Sequence, residues 1–311
     1  MKNRLRFLIA AASLIVLMGC NLDIAVSSER YRKEFHYSYS LKSGGKLTVE
    51  NFNGPVEITG WDQETVDISG TKYGTTPALR DAVKIDIVPS ADSIYIRTVR
   101  PSDSRGNVGA SYVIKVPRRT QLERISSANG SIRAMHVEGN ARLKTSNSSV
   151  RAFGIRGDLD AQTSNGSVEI EDLDGNANAK TSNGRIQAEA LNGSLDARTT
   201  NASIDAQLLK SETAHPVTLE TSNGSIVLRM HSEPRSDVHA STQNGGITLY
   251  LPASTSARVN AETTNSSVSS DFDLSTQTAS RKQRLEGSIG SGGPLLELNT
   301  TNGNIKILKR M

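Results

Sequence analysis

Thr163-Ser164-Asn165-Gly166-Ser167-Val168-Glu169-Ile170 returns eighteen residues later as Thr181-Ser182-Asn183-Gly184-Arg185-Ile186-Gln187-Ala188, and eighteen later again as Thr199-Thr200-Asn201-Ala202-Ser203-Ile204-Asp205-Ala206. A fixed period of this length is the mark of a stacked-repeat architecture. Working outward, the recurring asparagines are Asn129, Asn147, Asn165, Asn183 and Asn201, then Asn223, Asn244 and Asn265, with Asn53 and Asn302 as outlying copies. A second marker, Gly139, Gly157, Gly175 and Gly193, keeps the same step, so each unit has two turns.

Between the turns the apolar residues alternate, as in Leu159, Ala161 and Thr163 before the Asn-Gly and Val168 and Ile170 after it. Alternation with period two predicts two short strands per unit. The density of Ser, Thr, Asn and Gly disfavours helix, and almost none is expected after residue 19. Two all-β architectures fit. Asn-Gly between alternating apolar runs is a hairpin signal, which gives an antiparallel meander as the alternative. In a parallel β-solenoid each unit of about 18–22 residues is one coil, with equivalent residues about 4.8 Å apart. The solenoid explains why the residues are identical as well as alternating. Stacked asparagines can bond amide to amide, and Asn also tolerates the left-handed backbone that a tight corner was expected to need. Gly is then optional, as Asn147-Ser148, Asn201-Ala202 and Asn265-Ser266 require. The solenoid is the expected fold, right-handed by the general crossover rule. One coil cannot bury enough surface to offset its ordering entropy, so neighbours must stack and the ends need caps.

The chain has 311 residues, 36 Lys+Arg against 32 Asp+Glu, and a single Cys. One Cys excludes a disulfide framework and any multi-cysteine zinc site. Residues 1–19 read as a signal peptide: Lys2, Arg4 and Arg6, an apolar run from Phe7 to Met18, then Leu17-Met18-Gly19 before Cys20. Leu-x-Gly-Cys resembles the bacterial lipobox, which implies diacylglycerol on Cys20 and a body held on a membrane by acyl chains. Asn21 follows Cys20 in place of an inner-membrane retention Asp, so the outer membrane is favoured over the outer face of the cytoplasmic membrane. Cleavage leaves 33 basic against 32 acidic residues, 36 less the three at Lys2, Arg4 and Arg6. No concentrated basic face remains, and no nucleic-acid partner is expected. Residues 20–35 read as a tether, 36–120 as an irregular N-terminal β region capping the solenoid, and 121–311 as the repeat solenoid.

Thr300-Thr301-Asn302-Gly303-Asn304-Ile305-Lys306-Ile307, the preceding Gly287-Ser288-Ile289-Gly290-Ser291-Gly292-Gly293, Leu251-Pro252-Ala253 leading to Glu262-Thr263-Thr264-Asn265, and the repeated Thr-Ser-Asn-Gly together resemble the bacterial putative-adhesin family of β-strand-repeat proteins. The resemblance covers roughly residues 40–311. It implies a β-solenoid at the cell envelope, in a domain of unknown function with some relatives linked to envelope-stress sensing, and supplies no substrate and no catalytic residue.

Chemical motifs are sparse. His36, His136, His215, His231 and His239 are dispersed, without zinc spacing. No Gly-x-Ser-x-Gly elbow or phosphate loop occurs. No cofactor, no metal and no catalytic group is expected. The acidic run Asp158, Asp160, Glu169, Glu171, Asp172 and Asp174 reads first as solvated outward positions, with calcium binding or glycan chemistry as the sharper alternatives. Trp61 reads as a cap residue. Stacking would align Lys144, Gln162, Lys180 and Arg198, so that Lys144, Lys180 and Arg198 form a cationic column able to meet a polyanion, unless Asp160 and Asp196 neutralise it. The expected function is a non-enzymatic, lipid-anchored envelope protein presenting a repetitive surface for adhesion, scaffolding or stress sensing, with an envelope polysaccharide or envelope protein as partner. The alternative is a polysaccharide lyase or hydrolase on a right-handed β-helix, using the acidic cluster from Asp158 to Asp174, with Asp160 and Asp172 as the positions whose variants would test it.

Overall fold

The computed structural model describes residues 31–102, 106–211, 214–275 and 282–310. The signal peptide, Cys20 and most of the tether lie outside them. The N-terminal part contains β1 (Tyr31–Ser40), β2 (Lys46–Asn51), β3 (Val56–Trp61), β4 (Thr65–Gly74), helix α1 (Pro77–Ala82), β5 (Lys84–Pro89), β6 (Ser93–Val99) and β7 (Gly109–Pro117). The repeats supply β8 (Gln121–Ser127), β9 (Ile132–Met135), β10 (Ala141–Thr145), β11 (Val150–Arg156), β12 (Leu159–Gln162), β13 (Val168–Asp174), β14 (Ala177–Lys180), β15 (Ile186–Asn192), β16 (Leu195–Arg198) and β17 (Ile204–Lys210). They continue as β18 (Val217–Glu220), β19 (Ile226–Met230), β20 (Val238–Thr242), β21 (Ile247–Pro252), β22 (Ala257–Thr263) and β23 (Val268–Ser270). The chain ends with β24 (Leu274–Ser275), β25 (Arg284–Ile289), β26 (Leu295–Thr300) and β27 (Ile305–Arg310).

Among the described residues the strands form two sheets, of 13 and 14 strands. Each coil gives one strand to each sheet. Successive coils pair in parallel with equivalent residues facing one another: Leu159 faces Ala177, which faces Leu195, and Val168 faces Ile186, which faces Ile204, the register shifting only locally, as past Ala188 in β15–β17. The fold is therefore a β-solenoid, and the antiparallel meander is excluded by the parallel pairing of β10 through β22. Inward columns such as Val168, Ile186, Ile204, Ile226 and Ile247 are almost wholly buried, so each coil covers its neighbour's apolar face.

Chain order and spatial order differ at both ends. At the C-terminal end β26 lies between β20 and β22, and β27 between β21 and β23. At the other end β2 and β3 lie between the β8–β9 coil and the β6–β7 coil. The ends are closed by antiparallel additions: β4 and β1 on β7, β5 on β6, and β25 with β24 on β22.

Residues 31–35, assigned above to the tether, belong to β1. The sequence Tyr31-Arg32-Lys33-Glu34-Phe35 lacks apolar alternation because β1 is an edge strand, largely exposed. Charged side chains on an edge discourage further strand addition. The little helix there is, α1, is six residues long, with Thr76 Oγ1 accepting from the Leu79 N–H at 3.1 Å and Pro77 in the first turn. Among the described residues no helix is long and apolar enough to cross a membrane.

Candidate functional site

The asparagines form a continuous amide ladder. Asn147 Nδ2 donates to Asn129 Oδ1 at 2.7 Å, Asn165 to Asn147 at 2.8 Å, Asn183 to Asn165 at 2.7 Å and Asn201 to Asn183 at 2.7 Å. Asn223 donates to Asn201 and Asn244 to Asn223. From there the ladder leaves chain order: Asn302 donates to Asn244, and Asn265 donates to Asn302. Asn53 is not a rung; its amide goes to Asn107 Oδ1 and the Val108 carbonyl. None of these asparagines has positive φ, so the expected left-handed corner is not what selects them. Their reward is the amide bond, all eight pointing the same way, an arrangement in which each bond polarises the next.

A second ladder went unread in the sequence. Thr145, Thr163, Thr181, Thr199, Thr221 and Thr242 turn inward, and each Oγ1 donates to a carbonyl of the coil before it, at 2.7 to 3.0 Å. Thr300 and Thr263 continue it. The signal was present, since Thr stands two places before nearly every ladder asparagine. At the opposite corner Asn140, Asp158 and Asn176 accept from the backbone N–H groups of Asp158, Asn176 and Ser194. These three ladders are structural: their polar atoms are spent on neighbouring coils.

The cationic column exists as a column. Register places Lys144 against Gln162, Gln162 against Lys180, and Lys180 against Arg198 on the outward face of the larger sheet. Arg198 is taken up by Asp196 at 2.8 Å and by Glu220. Gln162 donates to Asp160 at 2.9 Å. Among the described residues Lys144, Lys180 and the adjacent Arg142 make no salt bridge.

The acidic run does not converge. Asp158 and Asp160 lie on the larger sheet's side, whereas Glu169, Glu171, Asp172 and Asp174 lie on β13 of the other sheet. Arg156 clamps the Asp172 carboxylate at 3.0 and 2.9 Å, and Arg151 meets Glu169 at 2.6 Å. Partial burial pushes the Glu169 carboxyl up, but bonds from Arg151 and Ser167 with the charges of Arg151 and Arg133 outweigh it and hold it below the usual carboxylate range. Asp160 and Asp172, the pair weighed for glycan chemistry, thus project from different sheets. Among the described residues no group of three or more His, Cys, Asp or Glu side chains gathers to hold a metal ion.

The histidines are separate as well. His36 approaches Asp67 at 3.5 Å, His239 meets Glu297 at 2.8 Å, and His231 touches Gln207 at 3.1 Å. Burial, with Arg310 nearby, pushes the His231 imidazole below its ordinary value. Trp61 ends β3 near the N-terminal end, its Nε1 donating to the Thr65 carbonyl at 2.8 Å and Lys115 over its ring. Two concavities stand out on the long faces. One, of about 580 Å³, runs along Arg142, Asp160, Asn178, Asp196 and Thr218. The other, of about 300 Å³, lies on the 13-stranded sheet around Arg133, Met135, Phe153 and Glu171.

A family model described as Toastrack DUF4097 matches residues 23–308. No curated protein sequence matches the chain. Among solved structures, a putative adhesin from Parabacteroides merdae is 8% identical, with 90% of this chain and 97% of that one covered and a TM-score of 0.43. A putative adhesin from Bacteroides fragilis is 13% identical, covering 89% and 97%, with a TM-score of 0.38. A putative cell adhesion protein from Clostridium sporogenes is 12% identical, covering 89% and 100%, with a TM-score of 0.22.

Proposed function

The chain belongs to the Toastrack DUF4097 family, and from that premise we propose a non-enzymatic, lipid-anchored envelope protein. It presents an elongated solenoid surface for adhesion or scaffolding. The observation that carries this reading is the distribution of polar groups: they repeat along the solenoid in columns and are satisfied coil to coil. Catalysis needs a few unlike groups converging in one cleft. The acidic pair that could have served a lyase or hydrolase is split between the two sheets, with Asp172 held by Arg156.

Cys20 is the attachment point in this proposal, followed by a short tether to β1. Two or three acyl chains, at about 0.8 kcal/mol per buried CH₂, hold such a body on a bilayer without a spanning segment. Asn21 after the Cys, in place of a retention Asp, supports the outer membrane over the outer face of the cytoplasmic membrane. Arg142, Lys144 and Lys180, which make no salt bridge among the described residues, are the contact for an acidic envelope polymer, with Arg198 at the end of the column. Labelling of cells with a radioactive fatty acid should mark the full chain and not a Cys20→Ser variant. Double charge reversal, Lys144→Glu with Lys180→Glu, should weaken retention on lipopolysaccharide and flatten its salt dependence, leaving the melting curve unchanged. Retention unaffected by the reversal removes the cationic column from the function. A glycan-cleaving rate abolished by Asp160→Asn or Asp172→Asn would replace the whole reading with the enzymatic one.

A further inference from the structure

The outward column through residues 135, 153, 171 and 189 departs from the pattern of its sheet. Outward positions of a solvated face carry polar side chains, and Glu171 and Glu189 comply. Met135 and Phe153 do not. Phe153 keeps 36% of its surface exposed, while Ala152 and Ile155 beside it are buried. Its ring meets His136 edge-on, with centroids 5.0 Å apart at 87°. The core on the inner face of β11 is complete without that ring, so its exposed position calls for another explanation.

The 300 Å³ cavity opens over this pair. Each of its column residues stands just before a bend: His136, Gly154, Asp172 and Ala190 have φ of 55°, 64°, 53° and 55°. The wall is fixed further by Arg156 on Asp172 and by Arg151 on Glu169. Two charged groups are left over. Among the described residues Arg133 and Glu171 make neither a salt bridge nor a hydrogen bond, although both line the cavity.

The occupant must therefore offer one apolar face to Phe153, a negative group to Arg133, and hydroxyl donors to Glu171 and to the Glu189 carboxylate, one oxygen of which already accepts from Gln187 at 2.7 Å. A peptide strand cannot add here, because β11, β13 and β15 are paired on both sides. A folded protein needs an interface of roughly 800 Å² per partner, far more than two apolar side chains supply. The volume lies at the lower end for small-molecule pockets, about 300–1,000 Å³. A pyranose has an apolar face and a rim of hydroxyls, and a carboxylate is the group that a guanidinium with no hydrogen bond or salt bridge of its own binds in bidentate fashion. We propose that this cavity is a saccharide subsite for a carboxylate-bearing pyranose, stacked on Phe153, with its carboxylate on Arg133 and its hydroxyls on Glu171 and Glu189. The inference rests on the envelope-surface reading for its supply of glycans but uses the sheet opposite the lysine column.

Titration of the isotope-labelled full chain with trigalacturonate, and with the neutral trisaccharide galactotriose, followed by NMR, tests it. Saturable shifts at Phe153 and its neighbours are expected with trigalacturonate, weaker ones with galactotriose. Phe153→Ala and Arg133→Gln should each weaken binding by about tenfold, the scale of one lost stacking or charge-assisted contact. Phe153→Tyr should retain it. Both altered residues are exposed, so the melting temperature should hold. Lys144→Glu with Lys180→Glu should leave this binding intact, so that the lysine column and the subsite fail or succeed separately. Equal binding of the two sugars, shifts confined to the other sheet, or insensitivity to Phe153→Ala would each overturn the assignment.

Discussion

Asn183 gives its amide to Asn165 and takes that of Asn201, both at 2.7 Å, so one residue serves two coils. Asn183→Asp tests whether the ladder's amide bonds hold the coils together. An ionised carboxylate there would accept from Asn201 but face the Asn165 oxygen as acceptor against acceptor, at a cost of about 1–2 kcal/mol. A protonated carboxyl can donate, so the folded state raises the pKa of the introduced group above its unfolded value. The penalty is then complete above the folded pKa and is relieved as pH falls through it. Melting temperatures of the variant and parent should differ at neutral pH and converge at about pH 3; a gap independent of pH would count against the amide ladder. Two positive-φ corners behave differently. Gly175 has φ 147°, and a Cβ there would sit 2.3 Å from the Gly157 carbonyl oxygen. Gly175→Ala should cost about 2 kcal/mol or more in chemical unfolding. Ala190 is the converse case, an L-residue in the left-handed region at φ 55°. Ala190→Gly should leave stability unchanged or raise it by up to about 1 kcal/mol, since relief of strain opposes the entropy of the unfolded glycine.

At the scale of elements, the unit of the fold is the coil and not the hairpin. Removing residues 175–192 joins Asp174 to Gly193 and deletes one complete period. Every ladder then re-forms with the next coil in register, and cooperative unfolding should persist with a smaller denaturant slope, as fewer residues become exposed. Removing half a period, residues 184–192, exchanges one sheet's strands for the other's and should abolish cooperative unfolding. Much of this was legible beforehand: Asn165 over Asn183, Leu159 over Ala177 and the two corners follow from spacing alone. The bend was not legible, because His136, Gly154, Asp172 and Ala190 share a conformation without sharing a chemistry. Nor was the start of β1, residues 31–35, whose charged side chains resemble a linker for the same reason that they suit an edge. Phe153 carries no signal in the sequence, since it is a single exposed ring that no neighbouring coil repeats.

For the whole molecule, the interleaved ends could not be predicted from motifs. Asn265 and Asn302 carry the same ladder residue, and a coil built from either fits the same neighbour, so the sequence is silent on which comes next. The consequence for stability is specific. β23 is bound to the body through β27, and β22 pairs in parallel with β26. Truncation after Gly293 should therefore release residues 257–293 as well as removing the last two strands. Hydrogen exchange should show protection lost from β22 to β25 while β10 to β17 stay protected. Protection retained in β22 would mean that it has closed directly onto β20.

Such interleaving also governs how the molecule bears tension. A pull on Arg310 loads β27 along its length against β21 on one side and β23 on the other, two ladders in shear at once. A terminal strand lying outermost would instead peel from a single neighbour, one bond after another. Load applied at that end is shared between two layers, where a strand resting on top would pass it to one.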